Sequence, residues 1–468
     1  MALLTIWRGF INATLELHPD EAYYWLWSKH LALSYYDHPG MVAYFIKFTT
    51  LVSSSEFFVR LSGLVVPLIL SWVMWTLAVQ MFEDASVASA AVIILNALPL
   101  MMSGSLIITP DLPAFLFWSL AIYFGWQVFR TQKAGYWYLL GLSLGLSFLS
   151  KYTSVLLAPC LFLFLIATDE RHWLKTIHPY LALLLSMVFS LPVIIWNQSH
   201  QWVSFKFQLH HGLNAQANAY SLSKVIEYAG GQLLVAGPLA LLAGFIAGFA
   251  YMFRRDKAKL YIALTSLPVI IFFGFTSIKT VAGPNWPATA YFSFALLIPV
   301  FWMNGGIFKK VVFWVVLLST LSLSMLATLH ARFRVIPLER FSADWADTDA
   351  TSWFYGWDEL AAQLRKYPKT AFIISPSHQL SAEMEYYLNG DIPCHVDLNI
   401  TRPSQWNFWP SPVKNGEYGI YLALKGEALP YYAAYFPNPD RIDYFTVHRG
   451  KLPFKTYRIV YGKCNLAR

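Results

Sequence analysis

The run "FVRLSGLVVPLILSWVMWTLAVQ", residues 58–80, contains a single charged residue, Arg60. A helix that crosses a bilayer needs roughly 17 to 25 apolar residues, so this run is long enough to span one. Similar runs recur through the first 330 residues, and we place spans at 2–17, 58–80, 87–104, 112–130, 136–149, 152–167, 177–196, 230–252, 260–278, 286–303 and 310–329. The sequence therefore predicts a polytopic α-helical membrane protein with about eleven transmembrane helices.

The composition supports this class. Of the 468 residues, 57% are hydrophobic and 13% are charged, and the mean hydropathy is +0.45. Aromatic residues make up 17% of the chain, which suits a protein with many membrane–water interfaces. We assign the net charge of +8 to loops beside membrane lipids and expect no nucleic acid partner, because basic residues gather on the cytoplasmic side of membrane proteins.

Basic residues in the loops set the orientation. With the amino terminus in the cytoplasm, the inward loops contain Arg130, Lys133, Arg171, Lys175, Arg254, Arg255, Lys257, Lys259, Lys309 and Lys310. The opposite loops hold fewer and more scattered cations, so a large first loop, 18–57, and the carboxyl terminus are expected outside. Two points stay open. The first span is short and contains Arg8, so it is either a tilted or interrupted helix, or the true start codon lies upstream. The segments 136–149 and 152–167 form either two spans or one kinked helix.

The chain changes character after residue 330. Alternating segments at 370–375, 418–424 and 456–462 predict strands, and 357–367 and 381–388 predict helices, the second with Ser381 at its amino-terminal cap. We expect an extracytoplasmic α/β domain at 331–468 that follows a transmembrane domain at 1–330. In that compartment Cys394 and Cys464 are candidates for a disulfide.

Polar residues gather in the first loop, "HPDEAYYWLWSKHLALSYYDHPG", residues 18–40. The predicted orientation puts this loop on the same face as Asp111, Lys151 and Lys279, and ionisable groups at a membrane boundary usually serve a function. Asp20 and Asp111 also stand where helix caps are expected, and Lys151 could be a snorkelling surface lysine. The phosphate-binding and dinucleotide motifs of soluble enzymes are missing, so no nucleotide cofactor is expected.

Six motifs occur in a fixed order: "DEAYYW" (20–25), "SYYDHPG" (34–40), "EFFVRL" (56–61), "TPDLPAF" (109–115), "LSKYT" (149–153) and "NWPATAYF" (285–292). Together they resemble the GT-C membrane glycosyltransferases, in the bacterial branch with the protein O-mannosyltransferases and the lipid A aminoarabinose transferase. The resemblance implies inverting transfer of a sugar from a polyprenyl-phosphate-linked donor to a lipid, glycan or protein acceptor. It also implies a periplasmic site on a protein of the bacterial inner membrane.

The resemblance assigns roles to single residues. Asp20 is the expected base, with Glu21 beside it to orient the acceptor or assist a metal ion, and Asp111 matches the second acidic position. Lys151, His38 and Lys279 are the candidate cations for the donor phosphate. His38 replaces a lysine of the family, Gly40 replaces a proline, and Tyr23 or Tyr24 replaces an arginine, so the phosphate contacts are where the family pattern transfers least well.

Some members of the family bind a divalent metal ion. Asp37 with His210 or His211 would then be the ligands of a zinc, magnesium or manganese ion. Two other functions stay open: a lipid or sugar transporter, although no internal repeat is visible, and an inactive relative that binds lipid-linked sugar. In the carboxyl-terminal domain Trp406, Trp409 and Tyr431 could stack on sugar rings, in competition with a role in the core.

Overall fold

The computed structural model describes residues 1–213, 221–340, 349–399, 402–426, 431–450 and 452–466, with the side chains of 211–213 and 339 excepted. Its contacts divide the chain into two compact units. The first comprises Met1–Gly9, Ala32–Phe45 and Arg60–Thr328, and the second comprises Phe10–Leu31, Ile46–Val59 and Leu329–Arg468. The second unit thus combines parts of the predicted first loop, 18–57, with the carboxyl-terminal region. The functional division of the chain at residue 330 stays a prediction.

Eighteen α-helices precede residue 334 in the described part of the chain. Helices α1 to α9 are Ala2–Asn12, Pro19–Lys29, Met41–Thr49, Glu56–Val59, Leu61–Phe82, Ala85–Ala97, Pro99–Gly104, Asp111–Thr131 and Gly135–Phe148. Helices α10 to α18 are Leu157–Ala167, His178–Ser199, Val203–Leu213, Leu222–Ala236, Pro238–Met252, Lys257–Leu264, Leu267–Thr276, Tyr291–Trp302 and Ile307–Phe333. Two more helices follow, α19 (Trp357–Leu364) and α20 (His378–Tyr387).

Several of these helices are long and apolar enough to cross a membrane. Among the described residues five pass on length and hydropathy: Glu56–Phe82, Asp111–Thr131, His178–Ser199, Lys257–Thr276 and Ile307–Phe333. The number rises to seven if each of two sharply bent pairs forms one span. The fold is therefore helical with several candidate spans, whereas the count of eleven and the position of the membrane stay predictions.

One predicted span, 230–252, is not a single straight helix. Helices α13 and α14 meet at an angle of 99°. The break lies at Gly237, whose φ of +83° falls in the left-handed region, and the next residue is Pro238, which has no backbone N–H to continue the ladder. The predicted span therefore contains a sharp bend, and its crossing of the membrane stays a prediction.

A charge inside the first apolar segment has a local explanation. The guanidinium of Arg8 on α1 is buried and donates to the side-chain oxygen of Asn96 on α6 at 2.9 Å and to its carbonyl at 3.3 Å. The Asn96 amide in turn donates to the Ser71 hydroxyl on α5 at 2.9 Å. Arg8 thus belongs to a polar network between helices, which is how buried charges are usually accommodated.

The second unit contains a five-stranded sheet in the order β2-β1-β3-β5-β4. The strands are Phe372–Ser375, Cys394–Val396, Tyr418–Leu424, Arg441–Arg449 and Leu452–Lys463. Strand β1 is parallel to β2 and β3, and β5 is antiparallel to β3 and β4. Helices α19 and α20 cover one face through residues such as Leu360, Leu364, Met384 and Leu388.

The end of α18 is tied to the sheet inside this unit. The Arg449 guanidinium on β4 donates to the carbonyls of His330 at 2.6 Å and Ala331 at 3.0 Å. It also pairs with the Asp349 carboxylate at 2.8 Å, and both side chains are less than a tenth exposed. Arg449 therefore satisfies carbonyls in the last turn of the helix, where a cation is favoured.

The three predicted strands and two predicted helices of this region are confirmed, with corrections. Helix α20 begins at His378 and its cap is Ser377, whose hydroxyl accepts from the Leu380 N–H. Ser381 is instead a buried residue whose hydroxyl donates to the carbonyl of His395. Cys394 and Cys464, the candidates for a disulfide, are free and buried, in hydrophobic clusters on different faces of the sheet, so the structure does not pair them.

Candidate active site

Three of the sequence motifs meet at Asp111 in the first unit. Its Oδ1 accepts from the Lys151 ammonium at 2.5 Å, and its Oδ2 accepts from the Asn285 side-chain amide at 2.6 Å. The Lys151 ammonium also donates to the Asn285 carbonyl at 3.1 Å. Pro110, not Asp111, holds the cap position of α8. The carboxylate is therefore committed to a cation and an amide from two other segments, and capping is not its role.

The Lys151–Asp111 pair is enclosed. The two side chains are 6% and 12% exposed, respectively. A buried ion pair is stable only when hydrogen bonds satisfy both partners, and Asn285 supplies one such bond to each of them. An ammonium has three N–H donors, and the described residues use two of those on Lys151, which leaves one for a ligand.

Lys151 and His38 line the same cavity of about 410 Å³. Most of its wall is apolar, with Phe148, Phe205, Leu209, Phe272, Phe273 and Trp286 among the lining residues. The cavity therefore combines one paired cation and one imidazole with a surface that suits a hydrocarbon chain. Such a mixture of an apolar wall and few polar groups is typical of ligand sites.

The segment that carries Asp37 and His38 is a tight turn. Ser34 and Pro39 form an isolated β-bridge, and the Tyr35 N–H donates to the His38 carbonyl at 3.2 Å. The Asp37 side chain is buried, and the backbone carbonyl of Asp37 accepts from the Gln208 side chain of α12 at 2.5 Å. The turn thus fixes His38 at the cavity wall, and Gln208 lines the same cavity.

Asp20 and Glu21 lie in the second unit, at the start of α2. His18 is the helix cap, since its Nδ1 accepts from the Asp20 N–H at 3.3 Å and its own N–H donates to the Glu21 carboxylate at 2.9 Å. Glu21 is fully buried in this reciprocal capping box. The Asp20 side chain is 44% exposed and is not the cap. Asp20 is therefore accessible to a substrate, whereas the Glu21 carboxylate is buried beside the His18 N–H, and the predicted roles of both stay predictions.

Lys279 and the predicted metal ligands Asp37 and His210 are not among the residues that line the cavity of Lys151. Lys279 is exposed after α16, its carbonyl accepts from Lys224 at 2.7 Å, and it does not line the cavity of Lys151. No cluster of three or more His, Cys, Asp and Glu side chains suited to a metal exists within the described ranges. His210 is exposed, and the side chain of His211 lies outside those ranges. The predicted metal ion therefore stays a prediction.

Sequence reasoning named Asp111 and Lys151 but missed Asn285, which contacts both of them. Asn285 opens the quoted motif "NWPATAYF", so its presence there was a usable signal. Gln208 stands two positions before the predicted ligand His210 in no recognisable motif. Its contact with Asp37 comes only from the folded arrangement.

The model of the family described as dolichyl-phosphate-mannose-protein mannosyltransferase matches residues 37–196. The chain is 27% identical over 306 residues to the lipid A galacturonosyltransferase RgtD of Rhizobium johnstonii, an alignment that covers 63% of this chain and 62% of that protein. It thus spans somewhat less than two thirds of this relative.

Two solved structures share the fold. Crystal structures of ArnT from Cupriavidus metallidurans, bound to undecaprenyl phosphate and in the apo state, align with TM-scores of 0.69 and 0.67 at 14% identity. Each alignment covers 98% of this chain and 96% of the ArnT chain. The matched sequence region and the matched fold confirm that the chain resembles the GT-C membrane glycosyltransferases of the mannosyltransferase and ArnT branch.

Proposed function

We propose that this chain is an inverting glycosyltransferase of the bacterial inner membrane. It moves a sugar from a polyprenyl-phosphate-linked donor to a lipid, glycan or protein acceptor on the periplasmic face. The observation that carries the proposal is the cavity in which Lys151 and His38 stand within an otherwise largely apolar wall. A polyprenyl phosphate has two parts that match this cavity: a phosphate, which suits Lys151 and His38, and a hydrocarbon chain, which suits the apolar wall.

The relatives support the same substrate class. One is a lipid A galacturonosyltransferase, and the ArnT crystal contains undecaprenyl phosphate. A lipid acceptor is the form of the proposal that these relatives favour. The transferred sugar is a hexose or a pentose in this proposal.

The chemistry requires a base and a phosphate site. The acceptor hydroxyl attacks the anomeric carbon, a new C–O bond forms with inversion, and the bond from that carbon to the phosphate oxygen breaks. The hydroxyl proton passes to the Asp20 carboxylate, and the electron pair of the broken bond stays on the phosphate. The remaining N–H of Lys151 stabilises the charge that develops there, and His38 is a second donor.

The exposed carboxylate of Asp20 allows a direct test. Asp20→Asn keeps the size of the side chain but removes the base, so transfer should fall by about 10²- to 10⁴-fold, the usual contribution of such a group. The measurement is mass spectrometry of lipid A, surface glycans and glycoproteins from a deletion strain complemented with each variant. Membrane levels of the protein are compared by immunoblot.

Asp256→Asn is the matched control. Asp256 caps α15, and its side chain is 42% exposed, close to the 44% of Asp20. Asparagine also caps helices well, so this variant should leave the glycans unchanged. An Asp20→Asn strain with the wild-type glycan profile would contradict the proposed enzyme and favour a binding or transport protein.

A further inference from the structure

The second unit contains a cavity of about 300 Å³, and of its lining residues the mechanism above uses only Asp20. It is lined by Asp20 and His18 from the start of α2, and by Trp353, Trp357, Ser377 and Gln379 from the carboxyl-terminal region. Ligand pockets usually measure roughly 300 to 1,000 Å³. This one is at the lower limit, which suits a single ring better than a lipid chain.

The aromatic wall of this cavity is held in place before any ligand arrives. The Trp353 and Trp357 rings are near parallel, with an angle of 21° and centroids 6.4 Å apart. The Trp357 indole N–H donates to the Trp353 carbonyl at 2.7 Å. Trp357 is buried, but 37% of Trp353 is exposed, so Trp353 offers a rigid indole surface to a ligand.

Lys455 on β5 supports that indole. Its ammonium lies 3.3 Å from the centroid of the Trp353 ring, and Lys455 is not a lining residue of the cavity. Burial lowers the pKa of Lys455 to about 8, and the charge of Glu383 opposes this shift. The ammonium is thus still mostly charged at neutral pH, and its cation–π contact restrains the ring.

Polar groups border the indole surface. The Gln379 side-chain oxygen accepts from the Ser377 hydroxyl at 3.0 Å, while its amide N–H₂ has no hydrogen-bond partner among the described residues. Asp20 adds a carboxylate acceptor. The cavity therefore offers an aromatic face with a donor and an acceptor beside it. A pyranose ring is the matching shape, because its C–H faces are apolar and its edge carries hydroxyls.

We propose that this cavity binds a sugar ring of the acceptor, which stacks on Trp353, donates a hydroxyl proton to Asp20 and accepts from Gln379. The assignment to the acceptor rests on the proposed function, since it uses Asp20 as the base. The binding of a sugar ring does not rest on it. The two parts can therefore fail separately.

Binding is tested on the full chain in detergent by saturation-transfer NMR. The probes are the methyl glycosides of glucose, mannose, N-acetylglucosamine and galacturonic acid. At least one should receive saturation on its ring protons, and Trp353→Ala or Gln379→Ala should reduce that signal several-fold. Trp353→Phe should retain most of it. Tyr444→Ala, which removes an aromatic ring of 55% exposure in the same unit but outside the cavity, should leave it unchanged.

No signal from any of the four glycosides, or equal signals from wild type and Trp353→Ala, would overturn the site. The acceptor assignment is tested by kinetics of sugar transfer. Loss of one aromatic stack should raise the acceptor KM by about tenfold and leave the donor KM unchanged. A rise in the donor KM alone would overturn the acceptor assignment. A wild-type protein that binds a glycoside but transfers no sugar would overturn the proposed function and leave the site standing.

Discussion

Lys151 has one role that its contacts show and a second that we propose. It neutralises the buried carboxylate of Asp111, and it faces a cavity suited to a phosphate on an apolar chain. A single substitution of Lys151 cannot separate them, since it would also leave Asp111 as a buried charge without its cation. Removing one partner of a buried pair typically destabilises a protein by about 3 to 5 kcal/mol.

A double variant separates the two roles. Lys151→Met should lower the melting temperature and abolish transfer. Lys151→Met combined with Asp111→Asn removes both charges, so the melting temperature should recover while transfer stays at least 100-fold below wild type. The measurements are thermal unfolding in detergent and the transfer rate. Recovery of transfer in the double variant would show that Lys151 only neutralises Asp111.

Lys257→Met is the matched control for these measurements. Lys257 also pairs with a buried carboxylate, that of Glu170 at 2.8 Å, but it does not line the cavity of Lys151. This variant should lower the melting temperature without a comparable loss of transfer.

The sequence indicated which residues carry charge but not which atoms they contact. Asp111 and Lys151 were both predicted, yet their ion pair joins motifs that are distant along the chain. Glu21 was expected at the chemistry because it follows Asp20, whereas its carboxylate completes a cap with His18. Trp353 stands in no motif, and of the three aromatic residues that were named instead, Trp406 is 3% exposed and packs in the core.

At the level of the helices, α9 and α11 approach so closely that only glycine fits between them. A Cβ at Gly141 would lie 2.3 Å from the Ala182 carbonyl oxygen, and one at Gly145 would lie 2.7 Å from the Ser186 carbonyl oxygen. These glycines are four residues apart and so lie on one face of α9. Small residues with this spacing allow close packing of membrane helices.

Gly141→Leu should therefore separate α9 from α11. The side chain would meet a backbone oxygen that cannot rotate away, and overpacking of this kind costs about 1 to 3 kcal/mol. We expect a lower melting temperature and less protein in the membrane, measured by thermal unfolding and immunoblot. Gly135→Leu is the control on the same helix, because a Cβ there meets nothing within 4 Å. Equal stability of the two variants would contradict the packing argument.

Apolar elements were predictable from sequence, and short or irregular ones were not. Strands β1 and β3 are apolar runs that are buried along almost their whole length, whereas β2 has three residues and β4 is an edge strand with a register shift at Val447 and His448. The bend between α13 and α14 had a signal in the dipeptide Gly237–Pro238, which the apolar run around it concealed.

At the scale of the whole chain, sequence order and compact units do not coincide. The second unit takes Phe10–Leu31 and Ile46–Val59 from the amino-terminal part of the chain. Hydropathy could not reveal this, because it reports how apolar a segment is and not which segments it contacts. The predicted orientation, by contrast, depends on the number of spans, and several helices are too short to be counted on length alone, including α6, α9 and α17.

Labelling of introduced cysteines tests the orientation. The three native cysteines are buried, so they should give little background with a membrane-impermeant maleimide. If eleven spans place the carboxyl terminus outside, Lys414→Cys, whose side chain is 73% exposed in the wild type, should react in intact spheroplasts. Lys175→Cys, at an exposed position in a predicted cytoplasmic loop, should react only after permeabilisation, because basic loops stay inside. Protection of Lys414→Cys in intact spheroplasts would mean an even number of spans before residue 414 and would place the carboxyl-terminal region on the cytoplasmic face. Reaction of Lys175→Cys in intact spheroplasts would place its loop outside and would contradict the predicted orientation.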